Sequence, residues 1–357
     1  MTLTLSHGGP TIFSTAAPSD ELLVGTQRGI VRLRRDGDSW QRAGEMLGDL
    51  HISAILVEPV NNLIVAGAYE GSLHISRAGG ATWEQADDGL SQHDVYSLAA
   101  RTLDDGSVVL YCGTEPAHLF ESRDLGRSWQ ELPGIRSAGS TEHWTFPAPP
   151  HIAHLKHITF DPRDNSVIYA SVEQGGLLRS TDGGATWNVV TGMDDDVHRL
   201  VLSAANPDRL YVTGGDGMYV SSDDGAAWEH WHTQEAELGG YPDQLVFRPS
   251  NPEEMYISAA QTNPGVWHVN HVAGSRISHS SDGGRTWQPL RNGLPDRLDS
   301  SVEAMTLEEW DGGFAIFAAT TSGEIWYSGV NASQWTCVVD GLAPISKAGH
   351  YLLLSPA

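Results

Sequence analysis

Histidine and glutamate side chains stand around a recurring apolar motif, at spacings that could bring them together for chemistry. The motif is two apolar residues separated by one position, then a short turn residue and often proline, as at 158–162. Five of these polar residues are predicted to ligate a metal: His51, His154, His198, His350 and Glu303. Imidazole nitrogens with one carboxylate suit a divalent or transition metal, namely Zn, Fe, Cu or Mn. Such a metal would polarise a substrate oxygen or activate a water.

Two carboxylates and two basic residues are the predicted catalytic groups. Glu115 and Glu173 follow apolar strands in neighbouring repeats, and a carboxylate pair can serve as acid and base in glycoside hydrolysis. His157 and Arg199 stand one residue before the apolar motif, where a purely structural strand would be apolar. The predicted lining of the substrate pocket is His93, His118, Trp144, Phe146, Gln174, Gln244 and Tyr351.

An octet ending in tryptophan recurs along the chain and identifies the elements that must position these residues. Five clear copies occupy 76–83, 122–129, 180–187, 221–228 and 280–287, and degenerate copies lie at 34–40 and 327–335. Aspartate and glycine at fixed positions make each octet a tight turn. Short strand-like segments surround each turn, as in 155–192. Seven such units, each of roughly fifty residues, predict a β-propeller.

The octet resembles the Asp-box, or BNR repeat, of sialidases, sortilin-type receptors and photosystem-assembly propellers, within the wider group of sialidase-like and YVTN or WD40-like repeat proteins. The resemblance covers nearly the whole chain. It implies an all-β, seven-bladed β-propeller that forms a single domain over 1–357, with the octets as structural turns. It does not extend to the catalytic motif of true sialidases. No Arg-Ile-Pro-like motif stands near the N-terminus, and Arg199 is the only arginine at a strand start.

The two ends of the chain are predicted to share one blade. The last apolar segment, 349–356, has the pattern of an innermost strand, and segments within 21–43 have the pattern of the other three strands. Pairing of the N- and C-terminal strands would then close the ring. Two longer intervals between octets predict insertions at about 134–152 and 261–274, on the face where the polar residues converge at the mouth of a central channel.

The composition limits the partners and the location. With 21 Lys+Arg against 45 Asp+Glu the formal charge is −24, which disfavours nucleic acid and anionic membranes as partners. The N-terminal segment lacks the features of a secretory signal, and no apolar run is long enough to span a membrane, so a cytoplasmic location is predicted. Cys112 and Cys337, in strand-like runs, are expected to be buried free thiols.

These features favour a metal-dependent enzyme that acts on a small polar substrate at the channel mouth, as a hydrolase, lyase or oxidase. Two alternatives stay open. One is a non-catalytic scaffold or peptide-binding propeller with a protein partner, which the resemblance to assembly factors and receptors implies. The other is a BNR-type glycoside hydrolase that uses Glu115 and Glu173 as paired carboxylates.

Overall fold

Seven β-sheets make up the part of the chain that the structure, a computed structural model, describes: residues 1–37, 39–139, 141–231 and 240–354. Two short strands begin the chain, β1 (Thr2–Leu5) and β2 (Ile12–Thr15), and they enter different sheets. The first sheet is completed by β3 (Glu21–Thr26), β4 (Gly29–Asp36) and β5 (Ser39–Met46), in the order β1-β3-β4-β5.

Five further sheets each contain four consecutive strands in chain order. They are β6 (His51–Glu58), β7 (Leu63–Tyr69), β8 (Ser72–Ser76) and β9 (Glu84–Gln85); β10 (Asp94–Thr102), β11 (Val108–Glu115), β12 (Leu119–Ser122) and β13 (Gln130–Glu131); β14 (His154–Phe160), β15 (Ile168–Glu173), β16 (Gly176–Ser180) and β17 (Asn188–Val189); β18 (Val197–Ser203), β19 (Asn206–Gly214), β20 (Gly217–Ser221) and β21 (Glu229–Trp231); and β22 (Tyr241–Arg248), β23 (Asn251–Ala260), β24 (Arg276–Ser280) and β25 (Gln288–Pro289).

The seventh sheet joins the two ends of the chain. It contains β26 (Val302–Trp310), β27 (Gly313–Thr320), β28 (Ile325–Tyr327) and β29 (Thr336–Val339), and β2 pairs in parallel with β26, with Ile12 opposite Leu307. The predicted pairing of N- and C-terminal strands in one sheet is therefore confirmed.

The strands that form this pairing differ from those expected. Segment 349–356 was expected as an innermost strand, but its described part contains the short helix α2 (His350–Leu353), and 355–356 lie outside the described residues. The place beside β3 is taken by β1, whose Leu3 and Leu5 are fully buried. A short apolar run does not distinguish strand from helix, because its periodicity is too brief to decide.

Short helical turns occupy the two predicted insertions. The first contains 3₁₀ turns at Pro133–Ser137 and Thr141–His143. The second contains a 3₁₀ turn at Pro264–Val266 followed by α1 (Trp267–Asn270). A further 3₁₀ turn lies at Val330–Ala332. None of the helices in the described ranges is long and apolar enough to cross a membrane.

The chain divides into two compact units. One is Glu58–Trp231, and the other consists of the described residues before and after it. In the unit Glu58–Trp231, one core cluster gathers Tyr111, Ile158 and Trp187 with other apolar residues of neighbouring sheets. In the other unit, the Trp40 ring lies edge-on to Phe317 at 5.1 Å. The strands at these cores are buried along most of their length, and the charged residues of the predicted site lie at or near the strand ends.

The octets form turns between the third and fourth strands of their sheets. In the copy between β16 and β17, Ser180 Oγ donates to Asp182 Oδ1 at 2.8 Å and accepts the Gly184 N–H at 2.8 Å. Asp182 also accepts the hydroxyl and the N–H of Thr186, and these bonds lower its pKa to about 2. The side chains of the octet are thus used within the turn, as a structural role requires.

Candidate functional site

Five of the seven sheets have a β-bulge near the start of a long strand, and three of the predicted residues, His198, Gln244 and Glu303, lie at these bulges. Bulges interrupt the register between Val95 and Ser97, Leu155 and His157, Val197 and Arg199, Pro242 and Leu245, and Val302 and Ala304. The residues skipped are Tyr96, Lys156, His198, Asp243, Gln244 and Glu303. A bulge redirects the extra side chain out of the regular alternation, which is how these polar groups come to lie beside polar groups of neighbouring strands.

His154, the first residue of β14, is the centre of a charged cluster in the unit Glu58–Trp231. Its side chain is 0% exposed, with Nε2 2.7 Å from Glu173 Oε2 and Nδ1 3.3 Å from Glu115 Oε2. The Tyr96 ring stacks on the imidazole at 4.0 Å, and the Phe146 ring meets it edge-on at 5.0 Å. His154, Glu115 and Glu173 are therefore brought together, and His154, which was predicted to ligate a metal, contacts two carboxylates here.

The two carboxylate oxygens of Glu173 face different neighbours. Oε2 lies 2.7 Å from His154 Nε2 and 3.4 Å from the buried Lys156 Nζ. Oε1 lies 3.8 Å from His198 Nε2. With only 1% of its side chain exposed, Glu173 is held inside the protein, so it positions its neighbours and is not accessible for a substrate.

Asp196 and His198 complete a group that could hold a metal. Ligand atoms of Glu173, Asp196 and His198 lie within 4.8 Å of one another, and His198 Nε2 is 3.4 Å from Asp196 Oδ1. Burial would raise the pKa of the Asp196 carboxyl, but the charge of the nearby His198 outweighs it and lowers this pKa. Of the five predicted ligands, this group contains His198 alone.

A second carboxylate pair lies at the partly exposed edge of the same cluster. Asp94, at the start of β10, is directly opposite Glu115 at the end of β11. Burial raises the pKa of Asp94, the N–H of Glu70 acts in the opposite direction, and the charges of Glu115 and Glu70 raise it further. Burial and the same carboxylates raise the pKa of Tyr69 to about 12. A carboxyl group with a raised pKa and a neighbouring second carboxyl group can together serve as an acid–base pair.

The first insertion lies against this cluster. Phe146 contacts His154, and the Thr145 N–H donates to the Gln174 carbonyl at 3.3 Å. Trp144 packs so close to Gly175 that a Cβ there would lie 3.0 Å from its ring. The predicted pocket residues Trp144, Phe146 and Gln174 thus lie at the same end of the sheet as His154 and Glu173.

His157 and Arg199, which were predicted to be catalytic, form a hydrogen bond with each other. The guanidinium Nη1 of Arg199 donates to His157 Nε2 at 2.9 Å. The Thr159 hydroxyl donates to the Leu200 carbonyl, so His157 Nδ1 is left to donate to Thr159 Oγ1 at 3.0 Å. This fixes a neutral imidazole that cross-links two strands. Since Arg199 is also only 2% exposed, this arrangement favours a positioning role for the pair.

The other predicted metal ligands lie in the unit that excludes Glu58–Trp231, and each contacts a partner there. Glu303 Oε1 lies 2.9 Å from His350 Nδ1, and its Oε2 accepts the Lys347 N–H at 2.7 Å. His51 Nε2 lies 2.9 Å from the Ser346 carbonyl. The Glu303 carboxylate therefore holds the C-terminal segment, and neither unit assembles the five-ligand set expected from the sequence. The predicted metal site was based on equivalent strand positions, and a sequence pattern does not show which hydrogen-bond partner each side chain has.

Four predicted pocket residues have partners of their own. His118 Nδ1 lies 2.9 Å from Glu131 Oε1, and His93 Nδ1 lies 3.0 Å from Ser72 Oγ. Gln244 donates from Nε2 to the Glu303 carbonyl at 3.1 Å, and Tyr351 accepts a hydrogen bond from Gln27. These contacts do not link them to His154 in the described part of the chain. The expectation that the seven predicted residues line one shared pocket stays a prediction.

Sequence reasoning missed Asp196 as a member of the cluster, while Asp94 and Tyr96 were alternatives to His93 at one strand start. Asp94 and Tyr96 stand in a strand whose register the sequence left ambiguous. Asp196 ends a run of three aspartates and precedes His198 by two positions. An acidic residue two positions before a histidine at a strand start was the available signal, since alternate strand residues share a face.

Comparison with known proteins supports the fold and names several relatives. The family model described as "Sortilin, neurotensin receptor 3" matches residues 175–336, less than half of the chain. The chain is 24% identical over 279 residues to a xyloglucanase from Paenibacillus sp, an alignment that covers 74% of this chain and 23% of that protein. This chain thus spans about a quarter of the length of that curated relative.

Two solved structures are similar in fold. A GH74 xyloglucanase from Xanthomonas campestris gives a TM-score of 0.66 at 18% identity, over 96% of this chain and 56% of that chain. YCF48 bound to D1 peptide gives 0.57 at 15% identity, over 89% and 91%. These similarities assign the seven sheets to the seven-bladed β-propeller fold, as the sequence predicted.

Proposed function

We propose that this protein is a hydrolase that cleaves glycosidic bonds in an oligosaccharide, with Asp94 as the proton donor and Glu115 as the base. The observation that carries the proposal is the cross-strand pair itself, in which Asp94 has a raised pKa and lies opposite Glu115. The similarity to a xyloglucanase supports a carbohydrate substrate.

The reaction needs one proton donated and one proton accepted. Asp94 donates its proton to the glycosidic oxygen as the bond from that oxygen to the anomeric carbon breaks. The carboxylate of Glu115 stabilises the positive charge that develops at the sugar and takes a proton from the water that attacks the anomeric carbon. The products are two hydroxyl-bearing sugars, and the proton passes from Glu115 back to Asp94 through solvent.

The surrounding side chains keep Glu115 in place. His154 lies 3.3 Å from Glu115 Oε2 and can balance its charge, while Glu173 orients the imidazole from the far side. Phenol groups of Tyr69 and Tyr96 also bond Glu115. A carboxylate held by several partners keeps a single geometry, which catalysis by proton transfer requires.

The aromatic residues of the first insertion are the proposed wall for the sugar. Trp144 and Phe146 are both partly exposed, and Phe146 contacts His154 next to Glu115. Aromatic rings offer large apolar faces with little conformational freedom to lose on binding. We assign sugar binding to this wall, and the metal assistance expected from the sequence is a separate proposal.

Purified protein assayed on xyloglucan oligosaccharides and on aryl β-glycosides tests the function. Asp94→Asn and Glu115→Gln should each lower kcat by about 10²- to 10⁴-fold, the contribution typical of a general acid or base. Glu121→Gln is the matched control, because Glu121 is as buried as Glu115 but pairs with Arg123. Absence of cleavage of any glycoside by the wild type, or full activity of Asp94→Asn, would overturn the proposal.

Peptide binding is the second candidate, favoured by the match in chain length to YCF48 bound to D1 peptide. The alignment covers 91% of the YCF48 chain but only 23% of the xyloglucanase relative. Equilibrium binding to an immobilised peptide library separates the two functions. Sequence-selective binding that survives Asp94→Asn and Glu115→Gln, with no glycosidase activity, would establish the second candidate instead.

A further inference from the structure

We infer that Glu173, Asp196 and His198 form a binding site for one divalent transition-metal ion, such as Zn²⁺ or Mn²⁺. The ligand atoms would be one carboxylate oxygen each of Glu173 and Asp196 and a ring nitrogen of His198, which lie within 4.8 Å of one another. The site goes beyond the proposed hydrolysis, because no step of that reaction uses a metal.

The distances between the three donor atoms suit a metal at their centre. Zinc binds nitrogen and carboxylate oxygen at about 2.0–2.2 Å, so two ligand atoms of a tetrahedral site lie about 3.4 Å apart. His198 Nε2 lies 3.4 Å from Asp196 Oδ1 and 3.8 Å from Glu173 Oε1. Closure of the second distance by a few tenths of an ångström would bring both carboxylate oxygens to ligand spacing from His198 Nε2.

The Asp196 carboxylate provides a second, independent observation. Among the residues that the structure describes, no donor makes a hydrogen bond of good geometry to its buried Oδ1 atom, from which His198 Nε2 lies 3.4 Å away. Buried carboxylate oxygens are normally paired or bound to metals, so an unsatisfied one points to a missing partner. The adjacent backbone is shaped for this carboxylate, since a Cβ on Gly215 would lie only 2.0 Å from Asp196 Oδ2.

The surroundings orient Glu173 in the way that supporting residues orient metal ligands. His154 and Lys156 both contact Oε2, at 2.7 and 3.4 Å, and this leaves Oε1 directed toward His198. Hydrogen bonds of this kind commonly fix the carboxylates that ligate metals. One imidazole and two carboxylates suit Zn²⁺, Mn²⁺ or Fe²⁺, and the remaining coordination positions would be filled by water.

Direct metal binding tests the site without reference to activity. Protein purified without a His-tag and stripped with chelator is titrated with MnCl₂, with free Mn²⁺ followed by electron paramagnetic resonance, and with ZnCl₂ by calorimetry. One equivalent of metal per chain is expected. Asp196→Asn and His198→Gln should weaken binding by more than about 10-fold, the smallest loss typical even of residues that only support a ligand.

His350→Ala and His51→Ala serve as matched controls, because both histidines belong to the ligand set expected from sequence but lie outside this group. Both variants should bind metal as the wild type does. Circular dichroism of each metal-free variant separates loss of a ligand from loss of folding, and the partly exposed Asp196 is the safer substitution. Two results would overturn the site. One is binding below 0.2 equivalents at about 100 μM metal, which means a Kd too weak for a specific site. The other is unchanged metal binding in folded Asp196→Asn and His198→Gln.

Discussion

The imidazole of His154 lies between two carboxylates, with Nδ1 3.3 Å from Glu115 Oε2 and Nε2 2.7 Å from Glu173 Oε2. A neutral imidazole has one N–H and can donate to one of them only, whereas an imidazolium can donate to both. His154 therefore connects the proposed acid–base pair at the partly exposed edge to the proposed metal group in the interior.

Replacement of His154 by leucine should destabilise the protein strongly. The substitution leaves Glu115 and Glu173 buried without their shared partner, and breaking a buried ionic contact costs about 3–5 kcal/mol. Urea unfolding followed by tryptophan fluorescence measures the change in unfolding free energy. His143→Leu, at a side chain that is 74% exposed, should stay within about 0.5 kcal/mol of the wild type. A loss below about 1 kcal/mol in His154→Leu would contradict the proposed charge balance.

The proposed activity should fall as the pH rises past the pKa of Asp94. Burial raises that pKa, with a further contribution from the Glu115 charge, so the donor keeps its proton to a higher pH than an exposed aspartate would. A plot of kcat/KM against pH should show this alkaline limb. In Asp94→Asn the limb should disappear along with most of the rate. An unchanged alkaline limb in Asp94→Asn would assign it to another group.

The octet aspartates should make the fold sensitive to acid. Hydrogen bonds, above all from the Thr186 hydroxyl, lower the pKa of Asp182 to about 2 in the folded protein, against about 3.9 in an unfolded chain. The contribution of ionised Asp182 to the free energy of unfolding is fully present above about pH 4 and is lost as the pH falls through about 2. Thermal melts between pH 2 and 7 should show Asp182→Asn melting lower than the wild type at pH 7, with the gap closing in acid. A gap that widens in acid would refute this.

Gly215→Ala should destabilise the protein by about 1–3 kcal/mol, as overpacking does. The added Cβ would stand 2.0 Å from Asp196 Oδ2, so the carboxylate or the backbone must move. Chemical denaturation measures the loss. Gly139→Ala is the control, because a Cβ there meets nothing within 4 Å. Equal stability of the two variants would show that the Asp196 carboxylate is not confined by Gly215.

Turn chemistry made the architecture readable from the sequence. Within a single octet, Asp182 accepts hydrogen bonds from the hydroxyl groups of Ser180 and Thr186. The spacing of these residues therefore predicts the turn, and the repetition of the octet predicts seven sheets. Closure was harder to assign. Segments 2–5 and 349–356 are both short and apolar, and only packing decides which of them extends a sheet.

The sequence by itself determined where polar groups would stand, namely at the strand starts that became the bulges at Lys156, His198 and Glu303. Only the tertiary structure decided their partners. His154 meets Glu173 across 19 residues, and Glu303 meets His350 across 47. A bulge shifts the register of every residue after it, so contacts between strands depend on geometry that no local pattern encodes. The proposed metal group of Glu173, Asp196 and His198 is a consequence of that register.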